Sequence, residues 1–347
     1  MNQPTAVTES VDVASKRIAQ RAVRSAAGLL DNCGLMKLSF LRRRSLRILC
    51  YHGVCPDEAV GQPWVPTYFV TASQFARQMH IAQRFGPVVH LPDVLASRCG
   101  ARGTREPALA VTFDDVAACT FRYARPVLNR LGIRASFFVS SGPVSTGCLF
   151  NADLLNLLTS QPELAGQDVR APLTDLIRHP ARHKAMTANQ LAGLFNDLEP
   201  RVRKTLDPTV YQNLRPVNWE EVRQLASDGH EIGGHTVDHV VLGAQTDAVR
   251  AAQIREGILA IKDRLNCEVI GFAYPNGGPG DFGPQDQAVL REMGIAYALT
   301  TRTGFAAECH RYEVPRAGIG MGHSPEKFAL ELSGLLDRRR ERQQGWR

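Results

Sequence analysis

The stretch Val111-Thr112-Phe113-Asp114-Asp115 places two adjacent carboxylates directly after a run of apolar residues. The run has the length and the β-branched content of a buried strand. Two negative groups at the rim of a core are costly unless a metal, a cation or a shared proton neutralises them. The sequence therefore predicts that Asp114 and Asp115 are each paired with such a group.

Strand-like and helix-like segments alternate on both sides of this stretch. Strands are predicted at 47–51, 88–91, 109–113, 135–139, 230–233, 269–274 and 296–300, and a last strand approaches 314–316. Helices are predicted at 69–85, 123–131, 219–227, 247–265, 284–293 and 325–336. This alternation predicts an α/β sheet or barrel with parallel strands at 45–336. Residues 148–215 interrupt it and are interpreted as a helical insertion or lid, because they have helical patterns and no clear strand.

Charge is distributed unevenly along the 347 residues. Of the formal net charge of +7, residues 1–47 carry +6 and residues 337–347 carry +3, so the residues between them sum to −2. The middle of the chain has no nucleic-acid signature, and we expect no nucleic-acid partner. The basic extension 1–44 has a helical pattern at 11–30. It is interpreted either as a peripheral contact with anionic lipid or as a helix packed on the core with a solvated basic face.

The cysteines and the lack of a leader-like pattern predict a cellular location. The eight cysteines are scattered without a C-x-x-C pair, which favours buried, reduced thiols in a reducing compartment. No basic segment precedes a short apolar one, and no apolar run approaches the roughly 18 residues that span a bilayer. We therefore expect a cytoplasmic protein, associated with a membrane if the extension contacts lipid.

A second chemical pattern is His235-x-x-x-His239. Two His four residues apart on a helical turn present their rings on one face, and Asp115 would complete a three-ligand metal set with room for water and substrate. Both segments follow predicted strands, at the edge where α/β barrels build their sites. The segment His179-Pro180-Ala181-Arg182-His183 has the same spacing, but it lies in the insertion and contains a proline, so we expect it at the surface.

Three motifs taken together resemble those of the polysaccharide deacetylases, the NodB-homology family of carbohydrate esterases (family 4). They are Thr112-Phe113-Asp114-Asp115, His235-Thr236-Val237-Asp238-His239 and Phe272-Ala273-Tyr274-Pro275-Asn276-Gly277. The resemblance covers about 45–335 apart from the insertion. It implies a distorted (β/α) barrel, one divalent metal, expected to be zinc, and hydrolysis of an N-acetyl (less often O-acetyl) group on a sugar.

The resemblance also implies roles for individual residues. Asp114 would be the general base, and Asp115 would ligate the metal together with His235 and His239. The segment Tyr274-Pro275-Asn276 would line the acetyl pocket, with a backbone N–H near Tyr274 helping to hold the oxyanion. A water activated by the metal would then attack the acetyl carbonyl, which agrees with what amide hydrolysis needs.

The proton donor has two candidates. Many family members place a donor His in a Leu-x-His motif near the C-terminus, where this chain has Met321-Gly322-His323. One branch has a Tyr-His pair after the first strand, where this chain has Tyr51-His52. We favour His52 over His323 as the donor, and the alternative is a His52 that only caps the end of the strand.

Many members also have an Arg that pairs with the base, and here Ala273 stands in its place. Arg316 would supply that charge from another strand end and hold the pKa of Asp114 down. A surface salt bridge is the alternative for Arg316.

The sequence thus predicts a metal-dependent deacetylase of an N-acetylated sugar, as an envelope polysaccharide, an oligosaccharide, or a lipid- or nucleotide-linked precursor. Two alternatives stay open: an amidohydrolase of the same superfamily acting on a small cyclic amide or imide, and a non-catalytic carbohydrate-binding barrel. The intact motif residues argue against the second. On the substrate side, Trp64, Tyr68 and Phe69 either form a sugar-stacking platform or pack in the core.

Overall fold

The computed structural model describes residues 34–95, 106–165, 171–306, 310–343 and 345, so the helix predicted at 11–30 lies outside it. The strands are β1 (Leu46–Tyr51), β2 (Gly53–Cys55), β3 (Phe69–Thr71), β4 (Ala108–Asp114), β5 (Ser136–Val139), β6 (Glu231–Gly234), β7 (Gly271–Ala273), β8 (Tyr297–Leu299) and β9 (Ala317–Gly318). The helices are α1 (Leu35–Arg42), α2 (Ala72–Phe85), α3 (Leu91–Leu95), α4 (Ala118–Leu131), α5 (Ser141–Thr146), α6 (Asn151–Ser160), α7 (Ala171–Arg178), α8 (Ala188–Phe195), α9 (Leu198–Thr205), α10 (Pro208–Leu214), α11 (Trp219–Ser227), α12 (Asp247–Leu265), α13 (Pro284–Glu292), α14 (Pro325–Ser333) and α15 (Asp337–Gln343).

Seven of the strands form one curled, parallel sheet in the order β8-β7-β6-β5-β4-β1-β9, surrounded by helices. β2 and β3 pair separately. This arrangement confirms the distorted (β/α) barrel that the sequence predicted. Because all seven strands run the same way, their carboxyl ends lie at one edge, where side chains from distant parts of the chain can meet.

The segment around β9 joins the two edges of this sheet. Val314 bridges to Leu299 at the β8 edge, and three residues later Ala317 pairs with Leu49 on β1. The strand predicted to approach 314–316 is therefore the piece that closes the barrel. Arg316 lies within this closing segment, which positions its side chain at the interior.

The middle strand β4 is buried over all seven residues. Phe113 packs in the core beneath the helices and stacks on Phe137 with ring centroids 4.8 Å apart. Ala110 belongs to a separate, smaller cluster with Phe138 and Leu299. A parallel strand covered on both faces needs apolar residues at successive positions, which explains the unbroken run before Asp114.

Within the insertion 148–215, the described residues contain the five helices α6 to α10 and no strand. They bury a cluster of their own, whose members include Leu154, Leu158 and Val202. Val240, which follows the His-x-x-x-His segment, is part of the same cluster. The insertion therefore packs beside the carboxyl end of β6.

Several predicted elements differ from the observed ones at their ends. The helix predicted at 69–85 begins only at Ala72, because Phe69–Thr71 pairs with β2 and the Thr71 hydroxyl accepts a hydrogen bond from the Gln74 N–H as the helix cap. The strand predicted at 88–91 is reduced to one bridge from Val88. The helix predicted to reach residue 336 ends at Ser333, because Gly334 adopts a left-handed conformation with φ of 66°.

The C-terminal segment packs onto the first strand. Arg47 of β1 is fully buried and donates to Asp337 at 2.8 and 3.0 Å and to the Glu331 carboxylate at 2.9 Å. The first residue of the segment 337–347 is thus part of the buried structure. No helix among the described residues is both long enough and apolar enough to cross a membrane.

Candidate active site

Three parallel strands bring the motif residues to one edge of the barrel. β4 ends at Asp114, β6 ends immediately before His235, and β7 ends immediately before Tyr274. β4 and β6 both flank β5, and β7 lies on the far side of β6. The motifs that lie more than 100 residues apart in sequence are therefore neighbours at the carboxyl ends of the strands.

Asp114 forms a buried, two-point ion pair with Arg316. The guanidinium donates to the two carboxylate oxygens at 2.7 and 2.6 Å, and neither residue is more than 2% exposed. Arg316 also donates to the Thr300 carbonyl at 3.0 Å, which fixes the orientation of its plane. Burial alone would raise the pKa of Asp114, but the adjacent guanidinium outweighs it and holds that pKa below its ordinary value.

Asp115 faces the two His of the second motif. Its Oδ1 lies 3.4 Å from His235 Nε2 and 3.0 Å from His239 Nε2. Asp115 Oδ1 and His235 Nε2 are buried atoms that lack a hydrogen-bond partner within the described residues. Buried lone pairs from one carboxylate and two imidazoles that converge without protein donors are what a divalent metal needs. The donor set therefore fits zinc or another divalent ion that accepts nitrogen and oxygen ligands.

The outer nitrogen of His235 supports the same interpretation. His235 is fully buried, and its Nδ1 lies 2.7 Å from the Ala273 carbonyl, which can only accept a hydrogen bond. The proton therefore belongs on Nδ1, and the Nε2 lone pair is directed at Asp115. A carbonyl partner of this kind is the usual second partner of a metal-ligating His. On the other side of the site, the Phe150 ring of the insertion contacts the His239 ring at 5.8 Å.

The segment that carries the two His is a loop, and the helical turn assumed from their spacing is wrong. Thr236 and His239 have positive φ values of 66° and 54°, which no helical turn contains. The side chain of Gln253 on α12 holds the loop, accepting from the N–H groups of Val237 and Asp238 at 3.1 and 2.9 Å. Even so, the ring centroids of His235 and His239 lie 4.9 Å apart. The two rings are therefore neighbours, as predicted, although the backbone that carries them is a loop.

Left-handed residues are concentrated at this edge of the barrel. Besides the two in the His loop, Asp115, Val116 and Asn276 have φ values of 66°, 56° and 59°. Such conformations are costly for non-glycine residues, above all for a β-branched one, and they cluster at functional sites. The backbone here is strained where three strand ends direct side chains to one point.

His52 lies at the site and His323 does not. The ligand atoms of His52, Cys50 and Asp114 all fall within 4.8 Å of one another. Burial lowers the pKa of His52, and the charges of Asp115 and Asp114 partly oppose that shift. The His323 ring instead accepts from the Gly320 N–H at 3.1 Å. Of the two candidate donors, His52 is the one that lies beside Asp114. The role of His52 as the proton donor stays a prediction.

The predicted acetyl-pocket segment occupies the end of β7. The Tyr274 side chain is buried with the helix-side core and stacks on Phe282 at 4.0 Å between ring centroids. Its N–H donates to the Leu299 carbonyl at 3.1 Å and is therefore engaged in strand pairing. Pro275 has no N–H, which leaves Asn276 as the residue of the three whose N–H donates to no backbone carbonyl within the described parts of the chain.

Sequence reasoning missed an acidic residue that the insertion contributes. Asp153 is 5% exposed and accepts a hydrogen bond of 2.6 Å from the Tyr68 hydroxyl, and the Tyr68 ring contacts His52 at 5.5 Å. Burial, helped by the charge of Asp115, raises the pKa of Asp153 to about 7. Nothing in the helical pattern distinguishes Asp153 from a solvated acid, so only tertiary structure reveals it. Trp64 and Phe69 pack in the core.

The remaining His residues have structural surroundings. His230 Nδ1 accepts the Ala135 N–H at 3.1 Å between β5 and the start of β6, as expected for a strand residue, and burial lowers its pKa to about 4. His179 is exposed, and neither it nor His183 joins a metal-ligand group in the described chain.

Comparison with known proteins shows which family and fold the chain has. A family model described as polysaccharide deacetylase matches residues 101–298, more than half of the chain. No curated protein sequence matches. Among solved structures, similar ones are the Streptococcus pyogenes deacetylase PplD in complex with acetate, at 16% identity over 83% of this chain and 97% of that one with a TM-score of 0.53, and IcaB from Ammonifex degensii, at 21% identity over 84% and 96% with a TM-score of 0.52.

A de-N-acetylase from Aggregatibacter actinomycetemcomitans is also similar, at 15% identity over 82% of this chain and 99% of that one, with a TM-score of 0.55. At these identities the likeness shows the fold alone. The matched proteins are covered almost end to end.

Proposed function

The chain belongs to the polysaccharide deacetylase family, and we propose that it is a metal-dependent hydrolase that removes the acetyl group from an N-acetylated sugar. The observation that carries the proposal is the pair of adjacent carboxylates with different partners. Asp114 is held ionised by Arg316, and Asp115 faces two His with unpaired lone pairs. This combination offers a base and a metal site side by side.

Each of these residues has a chemical task in amide hydrolysis. When bound by Asp115, His235 and His239, the metal would polarise the acetyl carbonyl and acidify a water molecule. Asp114 would accept the proton of the attacking water, because the guanidinium keeps it ionised and its oxygens are fixed. His52, beside Asp114, would return a proton to the leaving amine. That proton would be the one that Asp114 takes from the attacking water, passed on through the His52 imidazole, so that both groups end the reaction as they began it.

The substrate class rests on the family and on the fold, and the kind of acceptor stays open between a polymer, an oligosaccharide and a linked precursor. The insertion contributes Phe150 beside His239 and Asp153 beside Tyr68, so its residues border the site. The cytoplasmic location and zinc as the metal stay predictions.

The proposal is tested by measuring the metal content of the purified full chain together with acetate release from a panel of N-acetylated sugars. We expect about one divalent ion per chain and acetate release that a chelator abolishes. Asp114→Asn should retain the ion and lose turnover by a factor of 10² or more, as expected for a general base. The matched control is Asp286→Asn, which changes another buried, Arg-paired carboxylate that is not among the predicted site residues and should retain acetate release.

A metal-free chain that still releases acetate would overturn the metal assignment. Undiminished acetate release by Asp114→Asn would overturn the assignment of the base.

A further inference from the structure

Helix α1 has two opposed apolar faces. Met36 and Phe40, four residues apart, are fully buried against the core. Leu35, Leu38 and Leu41 are 46%, 43% and 41% exposed. At 3.6 residues per turn, the three exposed leucines fall within about 120° of one another, centred opposite the buried pair. We call them the leucine ridge. A solvated helix face is ordinarily polar, so a ridge of three leucines that the described residues leave uncovered calls for a partner.

Cations lie at one side of the leucine ridge and within it. By the same helical geometry, Lys37 lies next to Leu41 and Arg42 lies between Leu35 and Leu38, and both cations are exposed. Exposed Arg43 and Arg44 follow directly. The described part of this segment, residues 34–45, carries no acidic residue. The ridge is therefore an apolar strip set in a positively charged surface.

The ridge is held rigidly on the barrel. The Ser39 hydroxyl donates to the Ser333 carbonyl at 3.1 Å, and Arg43 donates to the Gly334 carbonyl at 3.3 Å. On the buried side, the Phe40 ring contacts those of Phe85 and Phe305 at 5.9 and 6.2 Å. Docking through the ridge would therefore cost little conformational entropy.

We propose that the leucine ridge and its cations dock this protein on an anionic lipid surface. Leucines that enter the headgroup boundary, next to Lys and Arg that meet lipid phosphates, are the two attractions that hold interfacial helices. A second copy of the chain is a poorer partner, because pairing two such faces would oppose their cations across the contact.

The position of the ridge defines how the protein would lie on the bilayer. α1 ends four residues before β1 begins and packs on Phe85, at the end of α2, so it covers the amino ends of the strands. The candidate active site lies at the carboxyl ends. A protein docked by the ridge would therefore direct its site away from the bilayer that holds it, which suits a substrate chain reaching the site from the aqueous side. This placement holds whether or not the deacetylase assignment is correct.

The experiment is cosedimentation of the full chain with vesicles of phosphatidylcholine alone and of phosphatidylcholine with phosphatidylglycerol. The ridge variant is Leu35→Ser/Leu38→Ser/Leu41→Ser. The matched control is Leu259→Ser, since Leu259 on α12 is 47% exposed in the same way. We expect the parent to bind anionic vesicles in a salt-sensitive way. The ridge variant should lose at least tenfold in partition coefficient and the control less than twofold. Lys37→Gln/Arg42→Gln should lose binding to anionic vesicles only.

Equal binding by the parent and the ridge variant would overturn the proposal, because the attraction would then come from elsewhere in the chain. The proposal is also overturned if the unsubstituted chain does not bind vesicles but forms a dimer, or binds an acidic protein, through the ridge. Matching thermal unfolding curves for the parent and the ridge variant establish that the variant is folded.

Discussion

Replacing Arg316 with Met tests whether the site depends on the buried ion pair. The substitution preserves much of the side-chain volume and leaves the Asp114 carboxylate, which is 2% exposed, without its cation. The Thr300 carbonyl also loses its donor. Removing one partner of a buried pair typically costs about 3–5 kcal/mol, because the remaining charge is uncompensated. We therefore expect Arg316→Met to lower the free energy of unfolding at pH 7 by about that amount, measured by urea denaturation.

The pH dependence of this loss follows from the sign of the pKa shift. In the parent, the pKa of Asp114 is depressed, so the ion pair stabilises the fold fully above the unfolded-state pKa of about 4. That stabilisation is lost as the pH falls through the lower pKa of Asp114 in the folded state. In Arg316→Met, burial loses its main opposing charge and raises the pKa of Asp114 relative to the parent. The variant should therefore be most destabilised at neutral pH, and the difference from the parent should narrow as the pH falls toward about 4.

Catalysis provides an independent measurement on the same variant. With a raised pKa, Asp114 would be partly protonated near neutrality, so the acid limb of the kcat/KM profile should move to higher pH. Arg250→Met is the matched control. It breaks another buried pair, in which Arg250 Nε lies 2.8 Å from Asp286 Oδ1, and should lower stability without moving the acid limb.

A loss of less than about 1 kcal/mol in Arg316→Met, or an acid limb coincident with that of the parent, would refute this reasoning. The double substitution Asp114→Asn/Arg316→Met should recover part of the stability, since no charge is then left unpaired.

Two further predictions concern residues around the site, and a third substitution, on helix α8, is the control for the first. A Cβ added at Gly257 on α12 would lie 2.8 Å from the Thr236 carbonyl carbon, so Gly257→Ala should displace the His loop, lower metal affinity at least tenfold in a chelator competition, and destabilise the fold. Gly193→Ala, where the added Cβ meets nothing within 4 Å, should instead stabilise helix α8 by about 0.5–1 kcal/mol in the same denaturation experiment. Tyr68→Phe leaves Asp153 buried without its donor and should cost about 1–3 kcal/mol at pH 8, where that carboxyl is ionised in the parent, and less at pH 5. A pH-independent loss would contradict the role given to Asp153.

The sequence was most informative where local pattern and chemistry coincide. An apolar run that ends in two carboxylates predicted both a buried strand and a neutralising partner, and β4 and Arg316 supply them. Helices 219–227 and 247–265 were placed to the residue, because their apolar spacing and end signals agree. The candidate metal ligands could be grouped from strand ends, since parallel strands carry their carboxyl ends to one edge.

What the sequence could not predict depends on contacts between distant segments. Asp153 looks like any helical acid until the fold brings it to Tyr68. Gln253 has the pattern of an ordinary polar helix residue. Its side chain nevertheless accepts hydrogen bonds from two backbone N–H groups of the His loop, which in a helical turn would be bonded to backbone carbonyls. A strand near 314–316 was predicted, but its role in closing the barrel was not. Val314 forms only an isolated bridge and Ala317 belongs to a two-residue strand, so the sequence carries little signal for either contact.

The adjacent carboxylates have different partners because the strand ends between them. Successive residues of a strand point to opposite faces, so a longer β4 would carry Asp115 away from the barrel interior that Asp114 occupies. The left-handed conformation of Asp115 and Val116 breaks that alternation, and the side chain reaches the two His instead. Each carboxylate then meets compensating groups of its own, Arg316 for one and the imidazoles for the other. The strained backbone at Asp115 and Val116 is thus what allows the two carboxylates to reach different partners. A substitution that relaxes it, such as Val116→Gly, should preserve the Asp114–Arg316 pair while loosening the position of Asp115.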